Sequence, residues 1–231
     1  MEQPQLLDNI TKLLERVRLS SQKSQFGNSD ILVLAVSKTR SAQDIRSAHA
    51  CGLRDFGENY LQEALPKIDA LTDLPLVWHF IGPIQSNKTR AIAENFAWVH
   101  SVDRDKIARR LSAQRPAQLP PLNVCLQVNI SGEESKSGAA PAQLPELVRA
   151  VAPLPNLRLR GLMCIPAAQT GESQQRQAFG AMRESLHELR DIAPDMDTLS
   201  MGMSGDLEAA VLEGATIVRI GTAIFGPRPA D

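Results

Sequence analysis

The chain has 231 residues and a formal net charge of -1, with 25 Lys and Arg against 26 Asp and Glu. No dense basic run appears and aromatic residues make up only 4%, which excludes an electrostatic nucleic-acid footprint and a base-stacking surface. No apolar run approaches the ~18 residues of a membrane span and the N-terminus is polar and amphipathic, so the expectation is a soluble cytoplasmic protein without a signal peptide.

In chain order, Leu6, Leu7, Ile10, Leu13, Leu14 and Val17 form an apolar stripe at helical spacing. This predicts an N-terminal helix within residues 1–25, packed against the body of the domain. ILVLAVSK (31–38) then reads as a buried strand ending on an ammonium group. RDFGEN (54–59) is the weakest strand reading, since it lacks an apolar run. LVWHFIG (76–82), WVHSVD (98–103), NVCLQVNI (123–130), LRLRGLMCI (157–165), TLSMGMS (198–204) and TIVRIG (216–221) are clearer. Between them, 87–96, 103–114, 144–151 and 175–192 carry helical patterns, with Ser41, Asn87, Asp103 and Ser204 as expected N-caps. Prolines, Pro66 among them, fall near the expected seams. Cys51, Cys125 and Cys164 follow no metal-ligand or redox spacing and read as core thiols.

Strands alternating with helices predict parallel pairing through right-handed crossovers. The eightfold count favours one α/β domain over 1–231, a single (β/α)8 TIM barrel with an extra N-terminal helix, over a doubly wound open sheet. Sites in such barrels form at the C-terminal ends of the strands. Lys38, read as the last residue of strand one, is expected there. The loops after strands seven and eight, SMGMSGD (200–206) and RIGTAIFG (219–226), are rich in small residues that let backbone N–H groups approach an anion. Ser204, Gly221 and Thr222 would grip a phosphate; the plainer alternatives are an N-cap for Ser204 and a turn for Gly221.

A phosphate grip plus a lysine points to pyridoxal 5'-phosphate, because an amine becomes a useful nucleophile when desolvation or positive charge lowers its pKa. Arg40 and Arg219 are expected near Lys38. Arg219 interrupts an apolar strand, as either a helix-side surface residue or the partner of the cofactor's pyridine nitrogen. A guanidinium there donates a hydrogen bond and disfavours ring protonation, making the ring a weaker electron sink.

With AVSKT, FGENY, HFIGPIQSNK, SKSG, RGLM, MGMSGD and RIGTAIFG in place, the chain resembles the pyridoxal phosphate homeostasis proteins, whose fold is that of the alanine racemase N-terminal barrel. The resemblance implies that Lys38 forms the internal aldimine and Arg219 meets the pyridine nitrogen. It implies that Ser204, Gly221 and Thr222 hold the phosphate, with Ser200 or Met201 nearby. Asn59 and His79 fall on family motifs at the same face; a helix cap and a core histidine are their alternatives. Lys136, in SGEESKSG, is either solvated or a site of transient cofactor transfer. Arg40 stands where some relatives carry a lysine.

The resulting expectation is a non-catalytic pyridoxal phosphate-binding monomer that holds the cofactor and releases it to apo-enzymes. The alternative is a weak amino-acid racemase, which needs an acid/base on each substrate face. In alanine racemase the second is a tyrosine of a separate C-terminal domain, whereas this chain's one tyrosine is Tyr60 and it ends at Asp231. A phosphosugar barrel enzyme with Lys38 as an aldolase-like base is a third reading.

Overall fold

Period-two alternation in the short apolar runs builds the sheet. The structure, a computed structural model, describes residues 3–26, 30–133, 137–167 and 171–227. All eight expected runs form strands: β1 (Leu32–Val36), β2 (Asp55–Glu58), β3 (Val77–Phe80), β4 (Trp98–Val102), β5 (Leu122–Val128), β6 (Leu157–Cys164), β7 (Thr198–Ser200) and β8 (Ile217–Ile220). They pair in parallel and in chain order, and β1 closes on β8 through the register Leu34 to Arg219. The barrel expectation holds against the open sheet, including the doubtful second strand.

The helices are α1 (Gln3–Lys23), α2 (Ala42–Ala50), α3 (Leu61–Ala70), α4 (Thr89–Asn95), α5 (Asp105–Gln114), α6 (Leu144–Val151), α7 (Glu172–Leu189), α8 (Leu207–Leu212) and α9 (Thr222–Phe225). On α1, Leu6, Ile10, Leu13 and Val17 are buried, each worth roughly 1.5–3 kcal/mol on leaving water. Leu7 and Leu14, expected in the same stripe, remain exposed. The helix packs on α2, α8 and α9, and its Asn9 donates to the Ile224 carbonyl at 3.0 Å.

Local chemistry moves several boundaries. β1 stops at Val36, so Lys38 lies in the following turn and not at the strand's last position. The Ser37 N–H still donates to Gly57 O at 3.0 Å, but Arg40 N–H then folds back to Ser37 O at 3.0 Å, with Thr39 at φ 63°. Ser41 caps α2 as expected, in a capping box with Asp44. Ser204 does not cap α8; Asp206 occupies that position, and its carboxylate accepts from the Met203 N–H at 2.5 Å. Asn87 lies inside a 3-10 turn, Ser86–Lys88, and Arg104 precedes α5 in place of Asp103. Pro66 sits within α3 and not at a seam, where its ring nitrogen forgoes one helical hydrogen bond.

Alternation divides the strand residues between two environments. Val33, Ala35, Trp78, Phe80, Val99, Val218 and Ile220 join the large cluster between sheet and helices. The intervening Leu34, His79, His100 and Arg219 are equally buried but outside that cluster, in the barrel interior. Cys125 and Cys164 are buried free thiols whose pKa burial pushes up to about 12. Among the described residues no group of His, Cys, Asp or Glu is arranged to hold a metal, and no helix is long and apolar enough to cross a membrane.

Candidate functional site

A cavity of about 310 Å³ opens at the C-terminal ends of the strands. Lys38, Asn59, Ser204, Arg219, Gly221 and Thr222 all line it, as do Arg40, Gly205 and the apolar Val36, Ile81, Ile165 and Met203. Ser200, Met201 and His79 do not line it: all three are buried beneath. Lys136 and Ser135 lie outside the described residues. Hollows of about 600 and 800 Å³ flank α7, but their Arg176 and Arg183 are already paired with Glu213.

Arg219 points inward because its neighbours Val218 and Ile220 take the outer face. Only 4% of it is exposed, so the helix-side surface alternative fails. One terminal nitrogen donates to the Ser200 carbonyl at 2.6 Å and its Oγ at 3.0 Å, and the other to Cys164 O at 2.8 Å. A guanidinium has five N–H groups, so this leaves about two for a ligand. Burial lowers its pKa, yet an arginine stays charged.

Asn59 does not cap α3, because Tyr60 occupies the cap position and no side chain bonds there. Its Oδ1 is buried without a partner at the cavity wall. Its backbone is pressed against Gly82, where an added Cβ would stand 2.0 Å from the Asn59 carbonyl oxygen. That approach explains the glycine in HFIGPI.

The two late loops meet across the cavity, where the Ala223 N–H donates to Ser204 Oγ at 3.4 Å. Gly202 turns the first of them with φ 93°, and an added Cβ there would meet Ala210 Cβ at 2.5 Å. Arg40 ties the second to β1: it donates to the carbonyls of Gly226 and Pro227 at 2.7 and 2.9 Å and lies over the Phe225 ring.

The sequence reading named neither the buried ion pair under the Lys38 turn nor the partners of His79. Beneath Lys38, buried Glu58 accepts from Lys67 at 2.8 Å and from Ser37 Oγ at 2.6 Å, while Lys67 also donates to Ser37 O at 2.9 Å. The Thr39 N–H donates to Glu63 at 3.0 Å, so both neighbours of Lys38 are held. Burial raises the Glu58 pKa, with Lys67 and Ser37 acting against it. Deeper in the barrel, His79 contacts Asp55 and His100, each at 2.9 Å, and stacks on Trp98. Its core-histidine alternative describes its placement.

Comparison with known proteins matches the alanine racemase N-terminal domain family over residues 10–229. A pyridoxal phosphate homeostasis protein of Pseudomonas aeruginosa is 63% identical over 223 residues, 96% of each chain. PipY of Synechococcus elongatus PCC7942, solved with PLP bound, superposes with a TM-score of 0.83 at 37% identity, covering 96% of this chain and 100% of that one. Alanine racemase of Corynebacterium glutamicum shares the fold alone, with a TM-score of 0.68 at 18% identity over 97% of this chain and 62% of its own. By family match and identity together, the chain belongs to the pyridoxal phosphate homeostasis protein family, built on the alanine racemase N-terminal domain.

Proposed function

We propose that the protein binds pyridoxal 5'-phosphate in this cavity through Lys38 and serves in vitamin B6 homeostasis without catalysis of its own. The convergence of Lys38, Arg219 and the Ser204 and Thr222 loops on one 310 Å³ cavity carries the reading. The donor set fits the group. The unpaired buried Asn59 oxygen needs a donor, Arg219 can donate to a ring nitrogen, and the hydroxyls and small residues opposite leave room for an anion. PipY, with PLP bound, supports the assignment. When bound, the cofactor supplies an aldehyde carbon, to which the Lys38 amine bonds with loss of water.

Ser204, Gly221 and Thr222 take the phosphate end and Arg219 the ring nitrogen, where a permanent cation keeps the ring a weak electron sink. The titratable groups lining the cavity, among the described residues, are Lys38, Arg40 and Arg219. Neither arginine is a proton acceptor, and Tyr60 stays outside the lining. That supports holding and handing on over two-base racemisation. Apo-enzymes are the recipients we infer, for a cytoplasmic monomer.

Borohydride reduction followed by peptide mapping tests the anchor. The expected result is a yellow protein with the label on Lys38, lost in Lys38→Ala. A colourless protein that takes up no added cofactor overturns the reading. Exchange of the α-proton of alanine or serine at an enzyme-like rate, about 10 per second, would establish the racemase instead.

A further inference from the structure

The proposed function leaves unused a polar chain that runs through the barrel interior. His79, His100, Ser200 and Arg219 are each the third residue of their strands, and Asp55 is the first residue of β2. Arg219 donates to Ser200 Oγ at 3.0 Å, and Ser200 Oγ lies 2.7 Å from His100 Nδ1. His100 Nε2 lies 2.9 Å from His79 Nδ1, and His79 Nε2 lies 2.9 Å from Asp55 Oδ1. Asp55 begins its strand, so the chain spans from the N-terminal mouth of the barrel to the cavity floor. Trp98 stacks on His79 and Arg160 lies over Trp98, covering the far end.

The chain has one direction. A guanidinium only donates, so Ser200 Oγ accepts from Arg219; its second lone pair leaves its own proton undirected. It is the Asp55 carboxylate at the far end, an acceptor only, that sends the Ser200 proton to His100 Nδ1. His100 then carries its proton on Nε2 and donates to His79 Nδ1. His79 likewise carries its proton on Nε2 and donates to the Asp55 carboxylate. In the reverse direction a histidine lone pair would face a carboxylate oxygen, acceptor against acceptor. Burial also disfavours charge on both imidazoles, with Arg219 adding to the effect at His100.

We propose that Asp55, His79, His100 and Ser200 are positioning residues that lock the guanidinium of Arg219 through a one-directional hydrogen-bond chain and so fix the donor presented to the cofactor's ring nitrogen. The role toward the ring rests on the cavity being the pyridoxal phosphate site; the direction of the chain does not. Both imidazoles are committed as neutral Nε2–H tautomers, and neither has a proton to pass toward the ring. A guanidinium and a carboxylate terminate the chain, and since the hydroxyl of Ser200 could accept twice, Asp55 is the group that sets its polarity.

Nitrogen NMR of histidine-labelled, cofactor-free protein reads the tautomers directly. Wild type is expected to show His79 and His100 as neutral Nε2–H forms. Asp55→Asn keeps the shape but can donate as well as accept, so it should yield mixed tautomers. In cofactor-loaded protein, Asp55→Asn and Ser200→Ala should shift the bound cofactor's absorption band and speed its release about fivefold. Ser200→Thr, which keeps the hydroxyl, should restore both. Nδ1–H or charged imidazoles in wild type overturn the chain. Unchanged tautomers, absorption and release in Asp55→Asn overturn the positioning role. If wild type takes up no cofactor, the cavity reading fails, while the tautomer measurement still decides the chain.

Discussion

The Lys67 ammonium stands 2.8 Å from the Glu58 carboxylate and 2.9 Å from the carbonyl of Ser37, the residue before Lys38. A buried ion pair thus sets the backbone from which the proposed anchor projects. Desolvation makes such a pair a weak source of net stability, but breaking it leaves one charge uncompensated. Lys67→Met should therefore cost about 3–5 kcal/mol at neutral pH. Burial raises the folded-state pKa of Glu58 above 4.5, so the folded state holds the extra proton and stability falls as pH rises through the folded pKa. Removing Lys67 strengthens that trend. Urea unfolding of the variant should show a smaller deficit at pH 5 than at pH 7; an equal deficit would remove the pair from this role.

The barrel was legible because each short run carries the apolar residues a strand buries, and even RDFGEN contributes Phe56 to the core. The cavity was legible because topology sends the ends of strands one, seven and eight to one face. The turn at Lys38 was not, since the ladder from Ser37 to Gly57 depends on a partner strand that local sequence does not display. His79 and His100 were missed as a pair for a related reason. His79 alternates with the outward Trp78 and Phe80, as Arg219 does with Val218 and Ile220, and His100 follows the outward Val99. Polar residues recurring at one depth in separate strand windows were the available signal for a polar interior.

Those histidines give the protein an acid limit. Burial lowers the folded-state pKa of both from 6.5, and that of His100 well below it. As pH falls below 6.5, the unfolded chain takes up protons that the folded protein refuses, so stability is lost. Each histidine contributes a limiting slope of about 1.4 kcal/mol per pH unit. Glu58 and Asp206, raised by burial, act in the opposite sense nearer their ordinary values of 4.5 and 3.8. Denaturation free energies should therefore decline from pH 7 to 5.5, and His100→Leu should flatten the decline. A level profile in wild type would contradict the neutral burial of the two rings.

Gly82 links the second and third strand ends without touching a ligand itself. An alanine Cβ there would lie 2.0 Å from the Asn59 carbonyl oxygen and 2.8 Å from its Cα, and both are backbone atoms that no side-chain rotation relieves. Gly82→Ala must push the β2–α3 loop away from the loop after β3, at a cost of about 2 kcal/mol or more. The Asn59 amide moves with that loop, and with it the unpaired Oδ1 at the cavity wall. The expected result is a folded protein of lower Tm whose affinity for pyridoxal phosphate drops about tenfold, equivalent to ~1.4 kcal/mol. Asn59→Ala, which removes the amide but leaves the loop in place, should reproduce the affinity loss without the full loss of Tm. If Gly82→Ala binds the cofactor as wild type does, Asn59 is not one of its contacts.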